Sequence, residues 1–422
     1  MLRIYNSLTL FFYPIFILII LIRKFLKKEN NESFQGKLFP SNFLINRDAS
    51  KKLIWFHAAS IGEAQSIIPL VKKIINSSNN FEILITTITQ SSASLLRKNF
   101  EKSKNIKHRF FPLDIGILAD KFLDGWKPNI AIFVDSEIWP NFIFKIKKKN
   151  IPLILLNGRI TKKTFLRWSL ISKVAEKIFN KFDLCLVSNF ETQKYLEAFK
   201  VKKIEFLGNL KFSANYDLSE NYNVNFLKER KIWCAMSTHK GEDNFIINSH
   251  LNLKKNNKNL ITIIIPRHIN RVRSIESLCK KNNLSFHTLS NDENVSFEKE
   301  IIIVNSYGNT SKYLKLCKSV FIGKSLLKNL EPVGGQNPIE AAKLNCKIYH
   351  GPYVYNFQEI YKLLNSYKIT EQIETVDELT EKLDFDLNNL DTNKNKNALK
   401  DINELGEKIL KDTFDTVLKF KN

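Results

Sequence analysis

Short apolar, β-branched runs recur along the chain in alternation with amphipathic stretches, and this alternation narrows the fold more than any other feature. Runs at Leu53–His57, Glu82–Thr86, His108–Phe111, Ile130–Val134, Leu153–Leu156 and Leu184–Val187 are separated by stretches of helical spacing. Strands alternating with helices predict a parallel sheet covered on both faces. The pattern pauses over the polar stretch Asn209–Val224 and restarts with Ile232–Met236, Leu260–Ile265, Phe286–Leu289, Ile301–Val304, Ser319–Ile322 and Lys347–His350. The expectation is α/β: two doubly wound domains at 29–212 and 229–422, joined by a connector at 213–228.

The N-terminus departs from this pattern. Leu8 to Ile22 is uncharged and then meets Arg23, Lys24, Lys27 and Lys28. At about 1.5 Å per residue this run falls short of the roughly 30 Å hydrocarbon core unless it recruits Ile4 and Tyr5 or extends to Phe25 and Leu26. A cleaved signal peptide lacks its small-residue cleavage site here. A buried core helix is the other alternative, but so apolar a terminal run ending in cations favours a membrane anchor over 1–28, with the rest of the chain on the cytoplasmic side. The polar stretch Glu29–Ser50 reads as a connector.

Charge points less clearly. Lys+Arg 65 against Asp+Glu 42 gives +23, yet only 11 of these cations are Arg, and the Lys are spread along the chain. A nucleic-acid binder concentrates its charge and prefers Arg for planar phosphate and base contacts. No nucleic-acid partner is therefore expected, and the cations suit a surface beside anionic lipid. The five Cys contain no CxxC pair and read as buried thiols in a reducing compartment, without a zinc site.

Ligands of doubly wound sheets bind beyond the carboxyl ends of strands, so the loops that follow strands are where chemistry is sought. The first, His57-Ala-Ala-Ser-Ile-Gly-Glu63, opens a helix; Ser60 and Glu63 have capping-box spacing, and Glu63 also sits at the ligand edge. The second, Val134-Asp-Ser-Glu-Ile-Trp-Pro-Asn141, offers Glu137 as a second carboxylate, one of the pair serving as general base and the other orienting or stabilising charge; alternatively Asp135 or Ser136 caps the next helix. Arg159 and Lys211 add cations to the same edge. In the second half, Arg267 can hold a phosphate bidentately with His268 beside it, and Gly334 and Gly335 before Asn337 offer backbone N–H groups to an anion, with Glu340 available to sugar hydroxyls. Together with the Tyr307-Gly308-Asn309 loop these suggest a nucleotide site. Gly323-Lys324-Ser325 imitates a P-loop but lacks its first Gly, and no G-x-G-x-x-G follows the first strand, which speaks against a dehydrogenase.

Nine blocks, WFHAASIGEAQSIIPL, VDSEIWPN, NGRIT, GNLKF, STHKGED, IIIPRH, FIGKS, GGQNPIEAA and GPYVYNFQEI, resemble in their order the family of Kdo transferases, which attach 3-deoxy-D-manno-octulosonic acid to the lipid A precursor. The resemblance implies a GT-B glycosyltransferase: two Rossmann-like domains facing a cleft, with an N-terminal anchor helix in the bacterial inner membrane and the catalytic domains on its cytoplasmic side. It implies inverting transfer from CMP-Kdo, a co-substrate, to lipid IVA, with no further cofactor and no metal. By similarity Glu63 is the base, while Glu137 and Lys211 match positions that stabilise the transition state. Pro266, Arg267 and His268, then Tyr307, Gly308 and Asn309, then Asn337, Pro338, Ile339 and Glu340 fall on the CMP-binding segments. Lys324 departs from the family's usual Gly. The competing readings are a GT-B enzyme with another nucleotide sugar, a membrane-tethered epimerase of the same two-domain fold, and a non-catalytic membrane-surface or nucleic-acid-binding protein.

Overall fold

The computed structural model describes residues 2–43, 48, 50–214, 230–290, 298–306, 310–389 and 396–420. The chain divides into two compact units, Met1–Ala214 with Leu405–Asn422, and Asn215–Glu404. Apart from Ser213 and Ala214, the expected connector at 213–228 lies outside the described residues, as do Tyr307, Gly308 and Asn309.

The first unit is built on β1 (Lys52–His57), β2 (Phe81–Thr87), β3 (Ile106–Phe110), β4 (Ile130–Val134), β5 (Leu153–Gly158), β6 (Leu184–Val187) and β7 (Ile204–Phe206). Their order is β3-β2-β1-β4-β5-β6-β7, and every neighbouring pair is parallel. The chain winds outward from β1 in one direction and then from β4 in the other. The loops after β1 and β4 therefore open to opposite sides of a switch point, where such sheets leave a crevice. Beneath it, Trp55 is fully buried against Phe111, Phe122, Phe133 and Phe142. Truncating a ring in such a cluster costs about 3–5 kcal/mol.

The second unit repeats the plan with β8 (Lys231–Thr238), β9 (Leu260–Pro266), β10 (Phe286–Leu289), β11 (Ile301–Val304), β12 (Ser319–Ile322), β13 (Lys347–His350) and β14 (Thr370–Gln372). The order is β10-β11-β9-β8-β12-β13-β14, again all parallel, with the switch point between β8 and β12. All twelve strands expected from the sequence form. The two it missed, β7 and β14, are three-residue strands at sheet edges, too short and too polar to stand out as apolar runs.

A buried carboxylate holds the loops of this second switch point together. Glu242, wholly buried in the first turn of the helix Glu242–Lys254, accepts backbone N–H bonds from His239 (2.8 Å), Lys324 (2.8 Å), Ser325 (3.0 Å) and Leu326 (3.1 Å). Gly323 passes so close that an added Cβ would lie 2.6 Å from Thr238 Cα and 2.7 Å from Glu242 Oε2.

The C-terminal part crosses the boundary drawn from sequence. Val376–Asn388 packs on Glu242–Lys254 within the second unit, but the last turns of the helix Lys396–Leu418, from Leu405 on, belong to the first unit rather than to a domain ending at 422. Close approach at Gly406 makes this possible, because a Cβ there would stand 2.2 Å from the carbonyl oxygen of Phe212.

The N-terminal run does not form one anchor helix. Among the described residues no single helix is long and apolar enough to cross a membrane; the run folds as Leu2–Phe11 and Tyr13–Phe25, a pair bent by 52° that together passes the length and composition test. Pro14, in the first turn of the second helix, has no N–H to continue the ladder and its ring opposes the carbonyl four residues back. The first helix is also bonded to the folded unit. Tyr5 Oη donates to Asp114 Oδ2 (2.9 Å), and Asn141 Nδ2 donates to Thr9 Oγ1 (3.1 Å). The expected connector after it contains a capped helix, Asn31–Leu38, whose buried Lys37 pairs with buried Glu29 at 2.7 Å.

Two outcomes follow for stability. Gly406→Ala must displace the terminal helix from the Phe212 backbone, and overpacking of this kind is expected to cost about 1–3 kcal/mol in chemical denaturation. Glu242→Ala leaves four backbone N–H groups, one buried and three part-buried, without their acceptor, so a loss of about 3 kcal/mol or more is expected, read as a lowered midpoint for the second unit.

Candidate active site

At the first switch point, the loop after β1 turns into the helix Ile61–Ser77 through a complete capping box. Ser60 Oγ accepts from Glu63 N (3.4 Å) and donates to Glu63 Oε1 (2.9 Å), and Glu63 Oε2 accepts from the N–H groups of Ala59 (2.7 Å) and Ser60 (3.4 Å). Capping and ligand-edge placement thus coincide in one residue. Burial, with the negative charges of Asp135 and Glu137, pushes the Glu63 carboxyl up to about 8 against the opposing effect of its hydrogen bonds. A carboxyl titrating there can both hold and release a proton near neutrality.

Glu137 is fixed from the other side of the switch point. Its Oε2 accepts from Trp139 Nε1 (2.7 Å) and lies 3.1 Å from His57 Nε2. His57 is itself fully buried, stacked on Phe111 at 3.8 Å, with Nδ1 3.0 Å from Thr86 Oγ1. The aromatic core beneath β1 therefore orients a carboxylate above it. Neither Asp135 nor Ser136 caps the next helix, Pro140–Lys148: Asp114 does this from the β3 loop, accepting from Asn141 N (3.2 Å) and Phe142 N (3.0 Å).

Asp135 and Lys211 form the third part of the site. Lys211 Nζ donates to Asp135 Oδ2 at 3.1 Å, while Asp135 Oδ1 is buried without a hydrogen-bond partner among the described residues. Asn157 Oδ1 accepts from Leu210 N (2.8 Å), fixing the Lys211 turn to the end of β5, and its Nδ2 is likewise buried and unpartnered. Asp135 (φ 62°) and Asn157 (φ 54°) both hold left-handed backbone conformations, of the kind that collects at functional sites. Arg159 N donates to Asp135 O (3.1 Å), and burial lowers the Arg159 guanidinium from its usual range. Sequence reading named Glu63, Glu137 and Lys211. It missed that Asp135 holds Lys211 and that His57 and Trp139 hold Glu137, for which adjacency in HAASIGE and VDSEIW was the only signal.

In the second unit, Pro266 ends β9 and Arg267 and His268 follow it exposed, with Arg267 N bonded to Thr238 O (3.1 Å) and His268 edge-on to His239 at 5.8 Å. Burial lowers His239 to about 4, so it stands there uncharged at neutral pH. The Gly-Gly segment does not present free N–H groups as expected: Gly335 N donates to Lys324 O (2.6 Å) and Gly334 N to Glu331 O (3.4 Å). Asn337 Oδ1 accepts from Ile339 N (3.2 Å), opening the short helix Ile339–Lys343 after Pro338. Glu340, pushed up to about 7 by burial, accepts from the Ser311 backbone N–H, so the helix Thr310–Leu314 that follows residues 307–309 abuts the Asn337–Glu340 turn. Lys324 takes φ 61°, a left-handed conformation that Gly adopts freely and other residues seldom hold.

A family model described as 3-deoxy-D-manno-octulosonic-acid transferase (kdotransferase) matches residues 34–214. A 3-deoxy-D-manno-octulosonic acid transferase of Rickettsia bellii is 31% identical over 430 residues, covering 100% of both chains. One from Haemophilus influenzae is 28% identical over 318 residues, covering 74% of this chain and 73% of its own. Among solved structures, a glycosyltransferase from Rickettsia africae superposes with a TM-score of 0.53 at 13% identity over 88% of this chain and 98% of its own. A UDP-N-acetylglucosamine 2-epimerase gives 0.58 at 12% over 85% and 93%; at such identities both speak for the two-domain fold alone. With its strand-edge carboxylates, its two parallel sheets and a full-length relative at 31% identity, the chain belongs to the Kdo transferase family of glycosyltransferases.

Proposed function

We propose that this protein transfers 3-deoxy-D-manno-octulosonic acid from CMP-Kdo to a hydroxyl of the lipid A precursor lipid IVA, with inversion at the anomeric carbon. The observation that carries the reading is the setting of Glu63: a carboxyl at a sheet switch point, half-buried beside Asp135 and Glu137 and raised to about 8. In one displacement the acceptor oxygen bonds to the anomeric carbon as its proton passes to Glu63. The bond from that carbon to the donor phosphate breaks on the opposite face, and CMP leaves with the electron pair. Lys211, steadied by Asp135, and Glu137, steadied by His57 and Trp139, balance the charge that develops. Arg267, exposed after β9, is suited to hold the departing phosphate, with His268, Pro266 and the Asn337–Pro338–Ile339–Glu340 turn around the nucleotide. The reading also puts the protein at the cytoplasmic face of the inner membrane, its apolar N-terminal pair and the cations Arg23–Lys28 against the bilayer.

Purified protein, CMP-Kdo and lipid IVA, with products resolved by mass, test the reaction; turnover with a nucleoside-diphosphate sugar but none with CMP-Kdo would overturn it. Glu63→Gln keeps the capping acceptor and loses the base, so transfer is expected to fall by about 10²–10⁴ with the fold retained. Because Glu63 must be ionised to act, the wild-type rate should climb as pH rises through about 8. The sign for stability is opposite. A folded pKa above the unfolded value means the native state holds the extra proton, so stability falls as pH rises from about 4.5 to about 8, and Glu63→Gln should gain melting temperature relative to wild type over that window. Arg267→Ala is expected to raise the donor KM about tenfold or more, with a smaller change in KM for the acceptor.

A further inference from the structure

The first unit carries a second apolar surface, apart from the N-terminal pair. After β5 the chain forms two short helices, Lys162–Ser169 and Ser172–Phe179. Their inward side is well packed: Phe165 stacks on Tyr195 at 4.1 Å and Trp168 meets Phe179 edge-on at 5.7 Å. Leu166 (56% exposed), Leu170 (86%) and Ile171 (46%) take no part in that packing and stand in solvent. Around them Lys162, Lys163, Arg167, Lys173 and Lys177 are all exposed, and Glu176 is the one carboxylate between Arg159 and Lys177. Lys163, Leu166, Arg167 and Leu170 stand at positions i, i+3, i+4 and i+7, which puts the leucines and two of the cations on a single helix face.

We infer that this turn, Leu166 to Ile171 with its ring of cations, is a second point of contact with an anionic phospholipid surface. Burying apolar tips just below the headgroups while cations remain at phosphate level is the arrangement of an interfacial helix. A second copy of the chain is a poor occupant, because it would present the same cations to one another. Position supports the bilayer. Ser172–Phe179 packs on Pro140–Lys148, the helix on which the N-terminal Leu2–Phe11 also packs, so both apolar elements belong to one helical layer of this unit. The turn also follows Arg159 directly, whose carbonyl accepts from Ser136 beside Glu137, so contact here would bring a bilayer-resident acceptor towards the carboxylates. The contact does not depend on which sugar is transferred.

All five native cysteines are buried, so Leu170→Cys can be labelled selectively with an environment-sensitive fluorophore in the full-length protein. Ser91→Cys serves as the control: it is exposed on the helix Gln90–Phe100, whose right-handed crossover lies on the other face of the sheet. With phosphatidylglycerol-containing vesicles the probe at position 170 should shift to shorter wavelength and be quenched by lipids spin-labelled near the headgroup, while the probe at 91 does neither. Leu166→Glu with Leu170→Glu should weaken vesicle partitioning by about tenfold or more, leaving the melting temperature unchanged. Bound protein with an unshifted probe at 170, absence of vesicle binding, or a shift that grows with protein concentration without lipid would each overturn the assignment, the last making the turn an interface between copies. Transfer to detergent-dispersed acceptor, read in parallel, tests the enzyme separately.

Discussion

Three carboxylates converge at the switch point of the first sheet, and their mutual repulsion is the constraint to which the rest of that unit responds. Glu63 comes from the loop after β1, Asp135 and Glu137 from the loop after β4, and parallel pairing of β1 with β4 leaves them no freedom to separate. Each is met by a different partner: the helix N-terminus and Ser60 for Glu63, Lys211 for Asp135, Trp139 and His57 for Glu137. Lys211 gives Asp135 a cation and two ring nitrogens face Glu137, whereas Glu63 is met by a hydroxyl and backbone N–H groups alone, and its affinity for a proton is raised. Partner assignment, more than residue type, separates Glu63 from the other two carboxylates.

The second unit solves the same local problem in the opposite way. Glu242 also stands in the first turn of the helix that follows its unit's first strand, yet it is wholly buried and satisfied by four backbone N–H groups. Its carboxylate is spent on holding the loop after β12, and what this unit shows to solvent beyond β9 is the guanidinium of Arg267 with the His268 ring after it.

The N-terminal segment shows where composition alone misleads. Its apolarity reads as a single anchor helix, but Pro14 breaks it, and Tyr5 and Thr9 attach its first half to Asp114 and Asn141 at the start of the helix after the Glu137 loop. Asp114 joins that attachment to the helix N-terminus, so the apolar segment and the loop carrying Glu137 share one buried carboxylate. Nothing in a hydropathy pattern carries such a contact, because the residues involved are the minority polar ones.

Twelve strands, their parallel pairing class and the three charged residues Glu63, Glu137 and Lys211 were legible in the chain, because apolar periodicity and strand-following loops are local signals. Sequence determined which side chains arrive at the carboxyl edge of each sheet. Tertiary structure decided what each does there. Glu63 and Glu242 have the same local setting, a glutamate opening a helix after a strand, and differ in what the sheet order brings against them: two carboxylates in one case, three backbone donors of the loop after β12 in the other. The extended edge of seven parallel strands is assembled from residues up to 150 apart or more, and the field felt by a carboxyl depends on those distant neighbours, so no stretch of sequence could fix it.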